Sequence, residues 1–306
     1  AVLDVAGVGG VSGTFTVRKN TLGVDIADQT FEYGPVSVTV TALHDGIESI
    51  TGEDVTVELD GFVTVTGDFA VVQGTDAETP FDGVAILVDE ACAVLNPEVT
   101  GGTTQLGVAA ASLALLIPGE TPGYALFGTG TAVLDVAGVG GVSGTFTVRK
   151  NTLGVDIADQ TFEYGPVSVA VTELHDGIES ITGEDVSVEL DGFVSVTGDF
   201  AVVQGTDATS PFDGVAILVD DASATLDPAV TGGTTQLGVH NAELALLVPG
   251  ETPGYALFGT GDAVLEVEGV GSVTGTFTLR KKTLGVDLAD PTFEVGPGSG
   301  RSTRRD

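Results

Sequence analysis

The side chains in this sequence that could carry chemistry are carboxylates, three histidines, one thiol and a recurring Arg–Lys pair. Asp and Glu number 44 against 10 Lys and Arg, for a net charge of −34. The acids gather at Glu53–Asp54, Asp89–Glu90, Asp176 to Glu179 and Asp220–Asp221, positions the sequence places near loops. A calcium ion needs about six to eight oxygens drawn from a tight loop. Neither an EF-hand loop nor the GGxGxD nonapeptide occurs, so calcium stays a candidate cofactor with no ligands assigned to it. Diffuse screening by cations between acidic molecules is the favoured role for the charge.

His44 and His175 fall at one phase of an internal repeat, whereas His240 replaces Ala109, so no repeated catalytic dyad exists. His44 sits in His44–Asp45–Gly46, where a turn-stabilising role is expected. Cys92 has Ser223 as its counterpart, and a thiol that serine can replace is not read as a nucleophile. A single cysteine also excludes an intramolecular disulfide. No P-loop, dinucleotide fingerprint, nucleophile elbow or zinc spacing is present. The expectation is a protein with no catalytic residues and not an enzyme.

The cations are placed unevenly. Arg18–Lys19, Arg149–Lys150 and Arg280–Lys281–Lys282 share one phase, and Arg301, Arg304 and Arg305 sit in the tail. Each pair reads either as local neutralisation of nearby carboxylates or as a docking point where one unit meets another, with the first preferred. The acidic field repels nucleic acid and anionic membranes. The longest apolar stretch, near Val108 to Ile117, is about half of what a membrane-spanning helix requires. The chain starts mid-pattern without Met and is read as a processed product or an excerpt of something larger.

What must position these groups is a long repeat. AVLDVAGVGGVSGTFTVRKNTLGVDIADQTFEYGPVSV begins at Ala1 and again at Ala132, and a looser AVLEVEGVGSVTGTFTLRKKTLGVDLAD begins at Ala263, a period of 131 residues. The organisation read from this is a β repeat unit at 1–131, a second at 132–262, and a partial third with an Arg-rich tail at 263–306. A motif close to L-x-V-x-G-x-x-x-V-x-G-x-F-x-V also recurs inside each unit. Apolar and polar residues alternate nearly everywhere, with β-branched residues enriched, which is a strand signal. From Val55 to Val71 the odd positions are expected inside and the even ones outside, with a bend or bulge at Gly61 and Gly67. The stretch LALLIPGETPGYALFGTG reads as a strand, then a turn at Pro118–Gly119. Further turns are expected at Thr51–Gly52, Gly101–Gly102 and Pro122–Gly123.

ALFGTGTAVLDVAGVGGVSGTFTVRKNTLGVDI and VELDGFVTVTGDFAVVQG resemble repeat regions of very large bacterial surface or secreted proteins. The shared pattern is an (A/S)xGTAxL strand, a GxxSGTxTVRxN strand and a GFVxxxGxF strand, over nearly all of residues 1–290. The resemblance implies an extracellular, β-rich, structural or adhesive protein with no catalytic residues to carry over. This chain departs from it at Lys19 and Lys150, where a β-branched residue is usual, and in its shorter loops.

The combined expectation is an all-β, elongated fold, either a β-solenoid-like stack of strands or tandem β-sandwich-like units. Its function would be that of a structural fibre subunit or the extender stalk of a giant adhesin at the cell surface, associating with copies of itself. The alternative is a glycan- or calcium-binding recognition module. Phe62, Tyr33 and Tyr124 are the aromatics that could stack on sugars.

Overall fold

A computed structural model of the chain describes residues 2–5, 9–59, 62–73, 81–96, 98, 102, 104–190, 192–205, 214–226, 235–250, 253–268 and 270–283. The protein is all-β, as its alternation dictates, and no α-helix occurs among the described residues. The first strands are β1 (Val2–Val5), β2 (Gly9–Lys19), β3 (Gln29–Tyr33), β4 (Val36–Val40), β5 (Glu48–Leu59), β6 (Val63–Gln73), β7 (Gly83–Leu95) and β8 (Thr104–Pro118). One period later come β9 (Ala125–Val136), β10 (Gly140–Asn151), β11 (Gln160–Tyr164), β12 (Val167–Val171), β13 (Glu179–Leu190), β14 (Val194–Gln204), β15 (Gly214–Leu226) and β16 (Thr235–Pro249). β17 (Ala256–Val267) and β18 (Gly271–Lys282) belong to the third repeat.

The chain forms two compact units. The first holds residues 1–131 together with 150–174, and the second holds 132–149 together with 175–306. In the first, the strand order is β1-β2-β5-β6-β7-β8; in the second it is β13-β14-β15-β16-β17-β18. Registered neighbours are antiparallel throughout. Strand therefore adds to strand in chain order, with β3–β4 and β11–β12 set aside as separate two-stranded hairpins.

The run from Val55 to Val71 is not one bent strand. Leu59 pairs with Val63 and Val55 with Gly67, so it folds back on itself as the β5–β6 hairpin. A straight run would have exceeded the usual strand length several-fold. A register shift falls at Gly67, between Thr66 and Asp68, where an irregularity is expected; the extra residue is in β7, and Gly67 faces it, with no room for a Cβ beside Ala91. Gly61 lies outside the described residues.

Similar shifts interrupt β2–β5 at Ser12/Thr14, β5–β6 at Gly52/Val55 and β7–β8 at Val88/Ala91. Because each bulge inserts an unpaired residue, side chains beyond it change faces. In β6, which carries no extra residue, the expected parity fails for a different reason. Ala70 and Val72, at even positions, are 0% and 1% exposed because the β11–β12 hairpin covers them, whereas Val65, at an odd position, is exposed; Phe62 is exposed as expected. Thr51–Gly52 is likewise not a turn but the middle of β5. Gly52 is there because a Cβ would come within 2.3 Å of the Phe69 ring.

The bulges leave non-glycine residues at positive φ: Asp54 (50°), Glu90 (49°) and Ala110 (48°). The second repeat places Asn241, a residue that tolerates this region, where the first has Ala110. Ala110→Gly is expected to stabilise the first unit by up to about 1 kcal/mol, the left-handed penalty less glycine's added entropy. Urea unfolding checks it, and a loss of stability would show that the bulge is unstrained.

Candidate interaction surface

The groups expected near loops turn out to serve the bulges. The Asp54 N–H donates to Asp68 Oδ1 at 2.7 Å, and Asp185 repeats this on Asp199 at 2.8 Å. Glu90 N–H donates to Asp89 Oδ1 at 2.9 Å, and Asp221 to Asp220 at 3.0 Å. A bulge frees a backbone donor from the ladder, and a carboxylate makes a strong charge-assisted acceptor for it. Glu53–Asp54, Asp89–Glu90 and Asp220–Asp221 therefore stand within strands, correcting the loop assignment. Among the described residues no group of three or more His, Cys, Asp or Glu is placed to hold a metal ion.

His44 lies in a turn, 3.7 Å from Asp25 Oδ2, while the Asp45 N–H donates to Asp25 Oδ1 at 2.8 Å. His240 approaches the Ser223 hydroxyl at 3.4 Å. Cys92 is half-buried. In the second unit the Asp262 carboxyl is held below its usual range, chiefly by the Thr276 hydroxyl and then by the Asn241 amide. None of these pairs forms an acid–base or nucleophile arrangement around a reacting position.

What the structure assembles is a contact between repeats. The β11–β12 hairpin, from the second repeat, lies on β6, β7 and β8, from the first. QTFEY and VSVAV are joined by Gly165–Pro166; a two-residue loop with glycine at φ 59° suits a tight hairpin. Alternation then sends Phe162, Tyr164, Val167, Val169 and Val171 to one face, each at most 2% exposed. Beneath them sit Ala70, Val72, Ala85, Leu87, Ala114 and Leu116, all within the same buried cluster. Burying five large side chains at about 1.5–3 kcal/mol each gives roughly 10 kcal/mol before ordering costs.

Polar contacts fix the register. The Tyr164 hydroxyl meets the Ser49 hydroxyl at 2.7 Å in a buried position, and the Ser168 N–H donates to Asp89 Oδ2 at 3.2 Å. Asp89 also accepts from Ser112 Oγ at 2.8 Å, so one carboxylate ties β7, β8 and the hairpin together. The Arg18 guanidinium stands 5.7 Å from the centre of the Tyr164 ring. A cleft of about 410 Å³ opens beside this contact, lined by Arg18, Asp28, Thr41, Leu43, His44 and Tyr164.

The basic pair thus divides its work. Lys19 Nζ neutralises Glu48 Oε2 at 2.6 Å on the exposed surface, the local reading. Arg18 meets the following repeat, the docking reading, but through an aromatic face and not an acidic one. Lys19→Ala is expected to change stability by less than about 1 kcal/mol, because both partners are solvated. Thermal unfolding would expose a larger effect and a stronger role for the pair.

Sequence reasoning missed Asn20 and Asn151. Asn151 is fully buried; its amide donates to Val155 O at 2.9 Å and Leu174 O at 2.8 Å, and its Oδ1 accepts from Leu153 N–H at 3.0 Å. Asn20 does the same with Val24, Leu43 and Leu22. Each asparagine pins both ends of the excursion that carries the hairpin. The available signal was the phrase NTLGV closing a strand in both repeats, where Lys282 replaces the asparagine in the third.

The first repeat carries the same hairpin sequence, QTFEYGPVSV, as β3–β4. Here the face is bare: Phe31, Tyr33, Val36 and Val38 are 55%, 90%, 57% and 52% exposed. Phe62, Tyr33 and Tyr124, the aromatics singled out for sugar stacking, are all exposed. Compared with known proteins, the chain matches no family model, no curated protein and no solved structure.

Proposed function

We propose that the chain is a structural, non-catalytic repeat protein that builds an extracellular fibre or the extender stalk of a giant adhesin. The observation that carries this reading is the β11–β12 hairpin, which one repeat contributes to cover a sheet face of the repeat before it. A unit completed by its neighbour is a device for joining units in series, as in other repeat architectures. The net charge of −34 suits a solvated surface that takes divalent cations as counter-ions.

Electron microscopy of the purified chain tests the reading. Rods or filaments are the expected result, and compact monomers at high concentration would remove it. A second reading, recognition of glycans, draws on Phe62 and Phe193, each 53% exposed at equivalent positions in the two repeats. Binding on a glycan array that Phe62→Ala and Phe193→Ala abolish would favour it instead.

A further inference from the structure

We infer that the exposed β3–β4 hairpin is a docking element whose partner is a second copy of this chain, seated on the sheet of that copy's second repeat. The inference names the partner surface for the structural role proposed above and rests on that reading. Its ground is that the chain already contains the bound form of the same element. β11–β12 is seated on β6–β8 through Phe162, Tyr164, Val167 and Val169, and the free hairpin presents Phe31, Tyr33, Val36 and Val38 in the same order. The two hairpins differ only at Thr39 against Ala170, which lie on the opposite face from those side chains.

The complementary seat recurs one period along. Ser49, Ala70, Val72, Ala85, Leu87, Asp89, Ala114 and Leu116 become Ser180, Ala201, Val203, Ala216, Leu218, Asp220, Ala245 and Leu247, without a single substitution. Arg149 stands where Arg18 does, and one polar support changes, Ser112 to Glu243. The third repeat's own version of the hairpin is defective in sequence. Val295 replaces the tyrosine, and Gly298, Gly300 and Ser302 replace the three inward valines. That version gives up most of the apolar area on which seating depends, so an intact hairpin from another copy is the better occupant. Val203 and Leu247 are only 2% and 5% exposed in the single chain, so entry is an exchange and its rate is slow. Each chain then offers one hairpin and one seat, and the association is head-to-tail and open-ended.

Two measurements on the whole 306-residue chain test this. In a Cys92→Ser background, Gly34→Cys with Thr182→Cys places thiols at the positions matching Gly165 and Thr51, where a Cβ on Gly165 would lie 3.7 Å from the Thr51 Cβ. Mild oxidation is expected to give a ladder of disulfide-linked species beyond the dimer, whereas either cysteine alone stops at a dimer. Gly165→Cys with Thr51→Cys, closing within one chain, is the positive control. Sedimentation velocity after long incubation is expected to show concentration-dependent association that Phe31→Asp with Val38→Asp weakens at least tenfold. Those two side chains are exposed in the single chain, so its circular dichroism and melting temperature stay unchanged. Association that survives Phe31→Asp with Val38→Asp, without a ladder, overturns the hairpin seat while leaving a fibre built otherwise. A chain that stays monomeric at every concentration and gives no ladder overturns the inference and confines the structural reading to a stalk within one polypeptide.

Discussion

Phe162→Ala is expected to destabilise the first unit by about 3–5 kcal/mol, the cost of emptying a large core position. The same change one period earlier, Phe31→Ala, should stay within about 0.5 kcal/mol, because that ring is 55% exposed. The comparison is unusually clean, since the two residues share their neighbours in sequence and differ only in what covers them. Urea unfolding gives the stabilities, and amide exchange along β7 and β8 locates the effect. The loss at Phe162 has a ceiling: once docking is weaker than the packing defect, the hairpin lifts off and no further stability is lost. Equal losses at the two positions would mean that both hairpins are seated alike, contrary to the burial described above.

Asn151→Ala is the second large effect. The substitution leaves the Leu153 N–H and the Val155 and Leu174 carbonyls without their side-chain partner in a buried setting. Unsatisfied buried groups cost about 1–3 kcal/mol each when water cannot reach them, so a total near about 3 kcal/mol is expected. Asn20→Ala should approach the same value, since Asn20 is 2% exposed and makes the matching contacts. Asn151→Asp is a sharper probe. It keeps the acceptor for Leu153 but sets a carboxylate against two carbonyl oxygens, and should be worse than alanine at neutral pH. A melting temperature unchanged by all three substitutions would show that the excursion is held by its strands alone.

Much of the strand content was legible because period-two alternation is a direct consequence of backbone pleating. The Pro118–Gly119 turn, the strand before it and the irregularity at Gly67 could be read from local residues alone. Facing could not. Ala70 and Val72 look outward by the parity of Val55 and Val57, and what buries them is the β11–β12 hairpin laid over their face by the next repeat. What covers a face depends on residues far along the chain, and that information is not local.

The interaction surface was hidden for a related reason. QTFEYGPVSV reads the same in both repeats, yet it is buried once and bare once, so its environment is set by what lies 79 residues away between Asp89 and Ser168. The acidic pairs misled for a different cause. Asp beside Glu resembles loop composition, whereas Asp89–Glu90 and Asp220–Asp221 are strand residues whose carboxylates satisfy bulge donors. Arg18 could be recognised as a docking candidate, but its partner being an aromatic ring followed only from the placement of Tyr164.

One feature of the first unit bears on its birth. The β11–β12 hairpin covers a face whose last strand, β8, ends at Pro118, so the seat at Leu87 and Leu116 stays uncovered while about 50 further residues are synthesised. At roughly 5–20 residues per second that is an interval of a few seconds on the ribosome, long compared with the making of a hairpin. Every nascent copy passes through a window in which its oily seat is bare and hairpins of finished neighbours are within reach. Crowded polysomes would therefore favour tangled pairs, and slower, sparser translation would favour clean single chains.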